Sequence, residues 1–231
     1  MRALYKAIVQ LFESSSSERA AAERKLLQQS LLKAVAPLIP VPKSRKFHLL
    51  GLDTTPMPRP FAKSLADRTY IHQPHAIKGN KPINIGHLYS LLSFLPEPDA
   101  RQNIPWSIPL SEQRVASGSN SIAVGLEQVD STLHNCPAFE TEQLSVLVAD
   151  SYYSQRQFLD ALSNKSNLVL VTRARSNRVF YRQPSISDEI TSTRRHRRWY
   201  GTRFDLKDET TWHSEDEIAH TTFITRRGRH L

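Results

Sequence analysis

"FHLLGLDTTPMPRP", residues 47–60, is the stretch whose reading decides the fold. An apolar run climbs from Phe47 to Leu52, meets one carboxylate at Asp53, and passes into threonines and prolines. The run predicts a buried strand, "FHLLGLDTT", that ends near Asp53. A second stretch repeats the pattern: "LSVLVADSYYS", residues 144–154, runs apolar to Ala149 and ends on Asp150. A single Asp after a strand is ordinarily a turn former or a helix N-cap, and "DSYYSQRQFL" suits Asp150 to that role. Two matching ends admit another reading. Ligand chemistry in open α/β sheets gathers beyond the carboxyl ends of the strands. If these two strands are neighbours, their carboxylates converge there, and converging carboxylates need a proton or a cation between them. Magnesium suits such hard oxygen ligands.

Other segments supply the rest of a sheet. "RTYIHQPHAI" and "INIGHLYSLLSFLP" read as two more strands, with the Gly-Asn of "KGNKP" as the turn between them. "PWSIPLSEQRV" reads as an edge strand, because its prolines forbid a central place. "IAVGLEQVDSTLHN" reads as a helix, "QRQFLDALSN" as a shorter one, and "NLVLVTRAR" as a last buried strand. The unbroken apolar runs at 144–149 and 168–171 predict strands covered on both faces. A mixed sheet flanked by helices follows.

Before the first strand, residues 3–12 place Leu4, Ile8, Leu11 and Phe12 at helical spacing. Residues 18–36 are rich in strong helix formers, and Leu27, Leu31 and Val35 are expected to share one face. Pro37, Pro40 and Pro42 stop that helix.

Lys and Arg number 31 against 22 Asp and Glu, a net charge of +9, which favours a polyanionic partner such as nucleic acid. The excess is local: nine Arg and two acids lie between Arg173 and Arg203. Arg173, Arg175, Arg178, Arg194, Arg195, Arg197 and Arg198 are candidate phosphate contacts, since guanidinium forks match phosphate oxygens. Trp199 and Tyr200 beside them are candidates for stacking on a displaced base. A solvated basic loop with its aromatics packed inward is the plain alternative. Lys78 and Lys81 are further phosphate candidates in an exposed turn. His72 and His75 point to opposite faces of a strand and are poor joint ligands. His213 and His220 lack an obvious partner set. One cysteine, Cys136, excludes an internal disulfide and a cysteine zinc site. No apolar run is long enough to span a membrane, and a cytosolic protein is expected.

Taken together, "LLGLDTTPMPRPFAKSLADRTYIHQPHAIKGNKPINIGHLYSLLSFLPE", "PWSIPLSEQRV", "VADSYYSQRQFL", "NLVLVTRARSNRVFYRQ" and "RRWYGTRFDLKDETTW" resemble the catalytic domain of DDE-type insertion-sequence transposases, and more narrowly the DDE superfamily endonuclease group of bacteria. The resemblance covers roughly residues 45–229. It implies an α/β fold of the RNase H-like kind at residues 44–231, after a helical segment and linker at residues 1–43. It implies a transposase that cleaves and transfers DNA strands with Asp53 and Asp150 as catalytic, metal-holding acids. The cofactor implied is Mg2+ or Mn2+, two ions where the site is complete. The partners implied are DNA, as transposon ends and target, and a second copy of the chain. The location implied is the cytoplasm, at the nucleoid.

In similar proteins a third acid, usually Glu, follows on a helix after the sheet. Glu209, Glu215 and Glu217 fall in "DLKDETTWHSEDE", which reads as an exposed loop, and Asp130 is a weak substitute. The third acid is unknown. The expectation is a copy that lacks the C-terminal part of the fold and acts poorly. The alternative is a remnant that grips DNA or a full-length transposase without cutting. A dehalogenase-type phosphohydrolase, which also opens on a strand and an Asp, would want a second Asp at position 55, where this chain has Thr55.

Overall fold

The structure is a computed structural model that describes residues 18–62, 64, 67–72, 83–97, 106–139, 143–184, 199–214 and 218. The expected helix at 3–12, the "KGNKP" turn, His75, Lys78, Lys81 and His220 lie outside the described residues. The chain divides into two units, Met1–Arg173 and Ala174–Leu231.

The first unit is built on a six-stranded mixed sheet. Its strands are β1 (Phe47–Pro58), β2 (Thr69–His72), β3 (Ile83–Phe94), β4 (Ile108–Val115), β5 (Leu144–Ala149) and β6 (Leu168–Thr172). The order is β2-β3-β1-β5-β6, and β4 also pairs with β3. β3 shares one edge between two partners: β2 takes Ile83 to Gly86 and β4 takes Leu88 to Phe94. β1 lies antiparallel to β3 and parallel to β5, and β5 lies parallel to β6. Parallel neighbours need a crossover. α2 (Ser121–Asn135) lies between β4 and β5 in the chain, and α3 (Arg156–Ser163) joins β5 to β6. Asn120 caps α2, its side chain accepting the Ala123 N–H at 2.8 Å.

β1 does not end at Asp53, as the sequence reading expected. It continues to Pro58, paired with β3 throughout. What ends is the pairing with β5, whose last registered pair is Leu52↔Ala149. Beyond Leu52 the strand has one neighbour instead of two, so Pro56 and Pro58 occupy an edge, where a missing N–H is tolerated. There β1 and β3 approach so closely that a Cβ on Gly86 would overlap the Met57 carbonyl oxygen.

The core fills one face of the sheet. Leu50 and Leu52 of β1, Leu92 and Phe94 of β3, and Leu147 and Ala149 of β5 point into it. Ile122 and Val129 of α2 and Phe158 and Leu162 of α3 cover them. The expectation that β5 and β6 are covered on both faces is overturned: Val148, Val169 and Val171 alternate with buried residues and are 38%, 45% and 50% exposed. An apolar run reports β-propensity as well as burial, and the described helices share a single core. Cys136 is a buried packing residue of that core.

α1 (Glu18–Val35) docks on the same core by a face the sequence reading did not choose. Leu27 and Leu31 are exposed, whereas Leu32 is fully buried. Gln28 and Gln29, on the Leu32 side, bind partners on the packed side: Gln28 Nε2 donates to the buried Ser111 Oγ at 2.5 Å and Gln29 Nε2 to Asn135 Oδ1 at 3.2 Å. Between α1 and β1, the Glu97 carboxylate gathers the chain. It accepts the N–H groups of Lys43 at 2.9 Å, Ser44 at 3.0 Å and Arg45 at 2.6 Å, and the Ser44 hydroxyl at 2.9 Å.

In the second unit, β7 (Val179–Tyr181) and β8 (Arg203–Asp205) form an antiparallel pair that the sequence reading did not foresee. Glu209–Thr211 make a 3-10 turn capped by Asp208, whose side chain accepts the Thr210 N–H at 3.2 Å.

Two outcomes follow for stability. Leu32→Ala should cost about 2–5 kcal/mol and Leu27→Ala within about 0.5 kcal/mol, compared by urea denaturation. Hydrogen bonds from Arg45, Lys43 and Ser44 hold the Glu97 carboxyl down at about 2, below its ordinary value of 4.5. Its stabilising effect is therefore full above pH 4.5 and lost as pH falls through about 2. Glu97→Gln should flatten that part of the acid-unfolding profile.

Candidate functional site

Parallel pairing of β1, β5 and β6 stops along one rim, which is the carboxyl end of β5 and β6 and the point where β1 loses its second neighbour. The last registered pairs are Leu52↔Ala149 and Ala149↔Thr172. One residue further on stand Asp53, Asp150 and Arg173, a carboxylate pair flanked by a guanidinium. Adjacent strands lie about 4.8 Å apart, so the two carboxylates rise from neighbouring backbone positions. All three residues are exposed.

Each carboxylate has one oxygen fixed locally. Asp53 Oδ1 accepts the Thr54 N–H at 2.7 Å. Asp150 Oδ1 accepts the Tyr152 N–H at 3.0 Å, capping the 3-10 turn Ser151–Tyr153. Asp150 therefore does make a cap, though of this short turn. The helix that follows has Gln155 at its N-cap, whose side chain donates back to the Tyr152 carbonyl at 3.0 Å instead of capping the helix. The Thr172 hydroxyl donates to the Asp150 carbonyl at 2.7 Å, tying the ends of β5 and β6 together. Neither carboxylate makes an ion pair among the described residues. The donor set, two exposed carboxylates on adjacent strands, fits a hard divalent cation that keeps water and phosphate in its remaining positions. Among the described residues no group of three or more His, Cys, Asp or Glu is arranged to hold a metal.

A buried polar layer supports this rim, and the sequence reading missed it. Tyr153 is fully buried and packs against Phe158, ring centroids 5.0 Å apart. Gly125 of α2 makes room for it: a Cβ there would lie 2.9 Å from Leu52 Cδ2 and 3.0 Å from Tyr153 Cε1. The phenol is pushed up to about 12 by burial, with the nearby charges of Asp150 and Asp53 adding to the effect. Both aspartates thus act electrostatically on one buried hydroxyl. Ser90, which pairs with Thr54 one step from Asp53, lies beside that hydroxyl. Ser90 Oγ donates to Gln128 Oε1 at 2.6 Å. Gln128 Nε2 donates to the Ser90 carbonyl at 3.0 Å and the Ser111 carbonyl at 3.1 Å. A fully satisfied buried amide of this kind pins its neighbours in one arrangement. A detectable signal was present: Gln128 lies on the apolar face of α2, one turn from Val124 and beside Val129.

The remaining predicted residues are distributed. Asp130 binds Lys165 Nζ at 2.5 Å, and Lys165 precedes the start of β6, at the rim opposite the carboxylates. Glu209 is in the 3-10 turn of the second unit, and Glu215 and Glu217 lie outside the described residues. Arg175 is exposed in the second unit, whereas Arg178 is half-buried with an Nε that has no hydrogen-bond partner among the described residues. Arg194, Arg195, Arg197 and Arg198 lie outside the described residues. Trp199 is 82% exposed, and Tyr200 packs on Tyr181 with centroids 5.0 Å apart. His72 is exposed on β2. No helix among the described residues is long and apolar enough to cross a membrane.

The raised Tyr153 phenol carries a pH dependence. Unfolded tyrosine ionises near 10 and the folded one near 12, so stability should fall as pH rises between these values. Tyr153→Phe should remove that alkaline loss, read from denaturation midpoints at pH 9 to about 12.

No curated protein and no solved structure matches the chain. A family model described as DDE superfamily endonuclease matches residues 1–230. A mixed sheet with its helices, of the RNase H-like kind, accompanies a match over nearly the whole length, and the chain belongs to the DDE superfamily endonucleases.

Proposed function

We propose that the chain is a transposase of a bacterial insertion sequence, with Asp53 and Asp150 as its metal-holding catalytic acids and DNA as its substrate. The observation that carries this reading is the register Leu52↔Ala149, which sets the two aspartates side by side. A Mg2+ or Mn2+ ion held there would polarise a phosphodiester and ease the formation of a nucleophile from water or a 3′-hydroxyl.

The chain's own residues prepare that site. Local N–H bonds orient one oxygen of each aspartate and leave the other facing solvent. Arg173, next along the rim, offers a guanidinium to a phosphate oxygen. Tyr153, Ser90 and Gln128 fix the floor beneath. In the second unit, taken by itself, Arg175 and Arg178 are candidates for phosphate contact and Trp199 for stacking. One reading stands beside it: a protein that binds DNA without cutting it, favoured by the two-carboxylate donor set among the described residues.

Mn2+ titration followed by calorimetry tests the site without requiring activity. Asp53→Asn and Asp150→Asn should each abolish or strongly weaken binding while circular dichroism stays unchanged; Mn2+ affinity equal to the parent in both variants would refute the assignment. A nicking assay on DNA beside a salt-dependent binding assay separates the two readings, since binding without nicking selects the non-cutting protein. Each phosphate contact removed, as in Arg173→Ala, should reduce the slope of log K against log salt by about 0.9.

A further inference from the structure

The face of the sheet away from the core carries a second cluster of charged and polar side chains, one row from the carboxylates. Side chains alternate along a strand. Leu50 and Leu52 of β1 and Leu92 and Phe94 of β3 point into the core, so Asp53, Thr55, Leu91 and Tyr89 point the other way. The same alternation turns Glu112 and Arg114 of β4 outward, since Ser111 is buried and its hydroxyl accepts from Gln128. Register sorts these residues into two rows across the strands. Asp53, Leu91 and Glu112 form the first, and Thr55, Tyr89 and Arg114 the second. Tyr89 is the diagonal neighbour of Asp53, and such neighbours lie about 7–8 Å apart, within reach of an aromatic side chain.

The second row is braced from outside the sheet. Arg114 Nη2 donates to Asp67 Oδ2 at 2.9 Å, in an ion pair that is about a quarter exposed. Asp67 Oδ1 accepts the Ser117 N–H at 2.8 Å. Asp67 stands at φ 56°, in the left-handed region, where a residue other than glycine is strained. The Ser117 N–H, then Arg114 and His87, hold its carboxyl below the ordinary carboxylate range. His87 meets Tyr89 edge to face, ring centroids 6.2 Å apart. Tyr89 is half-buried, and its hydroxyl makes no hydrogen bond among the described residues. Backbone strain is thus accepted to fix a guanidinium beside a phenol that still has a proton to donate.

Across the sheet the strands run β4, β3, β1, β5, β6, and the residues in question run Arg114, Tyr89, Asp53, Asp150, Arg173. All of them lie in the first unit. Donors that suit phosphate therefore stand on both flanks of the acid pair. Four strand spacings of about 4.8 Å span about 19 Å, and one strand of B-form DNA advances about 3.4 Å per nucleotide, so the line matches about five or six nucleotides. Guanidinium forks and hydroxyls both bond phosphate oxygens. Glu112 keeps anions off the β4 end of the first row, which leaves the contact to the second. We propose that Tyr89 and Arg114 hold a backbone phosphate of DNA a few nucleotides from the phosphodiester at Asp53 and Asp150, so that the nucleic-acid strand crosses the β-strands of this face. This placement rests on DNA being the substrate and adds where the DNA lies.

The test uses the 231-residue chain and a 20-bp duplex, with affinity measured across a salt series. Tyr89→Phe removes only the hydroxyl and should weaken binding about 2- to 10-fold, with the urea midpoint unchanged. The double variant Arg114→Gln with Asp67→Asn replaces the ion pair by a neutral pair that can still hydrogen-bond, and asparagine tolerates the left-handed backbone. It should reduce the slope of log K against log salt by about 0.9, whereas Asp67→Asn alone should not reduce it. Parent-like affinity in Tyr89→Phe, or a parent-like slope in the double variant, overturns the proposal and leaves the DNA reading standing. Affinity lost in step with a fall in the urea midpoint assigns the cluster to bracing the loop before β2 and overturns the proposal as well. Failure of the parent chain to bind the duplex at low salt overturns the DNA reading and this inference with it.

Discussion

The parallel register of β1 against β5 is the constraint on which the site depends. Leu52 and Ala149 are the last paired residues, and both are buried against α2, α3 and Tyr153. Hydrophobic burial of these positions fixes the register, because a slip of one residue would turn the apolar set of a strand to the other face. Once the register is fixed, Asp53 and Asp150 have no choice of position. They rise from neighbouring positions on adjacent strands, a donor set that suits a hard divalent cation. The core thus does the positioning of both acids.

The floor of the site translates packing into rigidity. Gly125 lets α2 close on Leu52, and Tyr153 fills the space between that helix and α3. The chain of amide and hydroxyl bonds from Gln28 through Ser111 and Gln128 to Ser90 connects α1, β4, α2 and β3 beneath the rim. A buried network of this kind is costly when incomplete and specific when satisfied. Here the Gln128 amide is satisfied on both sides. The N-terminal helix α1 is tied to the same network by one of its glutamines, so it is part of the framework that holds β4 in place.

The sequence was most legible where one residue type decided the outcome. The apolar runs of β1, β5 and β6, the Asn120-capped α2 and the proline-bearing edge strand β4 all follow from local pattern. So does the pair of strand-end acids. Reading failed where two patterns competed. On α1, Leu27 and Leu31 make as good a helical stripe as Leu32 and Val35, and the glutamines that flank Leu32 disguised the face that packs. At Asp53, prolines resembled a strand end, whereas the strand had only lost one neighbour. On β5 and β6, valines satisfy the pleat with or without a covering layer. Tyr153 and Gln128 reach the site from different elements, and only the fold brings them together. The hairpin β7–β8 is short and lies in a stretch whose arginines drew attention away from its aromatics.

The proposed function turns on one claim: Asp53 and Asp150 share a divalent cation. A crystal of the chain grown with Mn2+, with anomalous scattering recorded near the manganese edge, tests it most directly. The account predicts a peak coordinated by oxygens from both carboxylates, where the pairing of β1 with β5 stops. A manganese peak elsewhere, or a fully ordered pair of aspartates turned apart with no peak between them at saturating Mn2+, would contradict it.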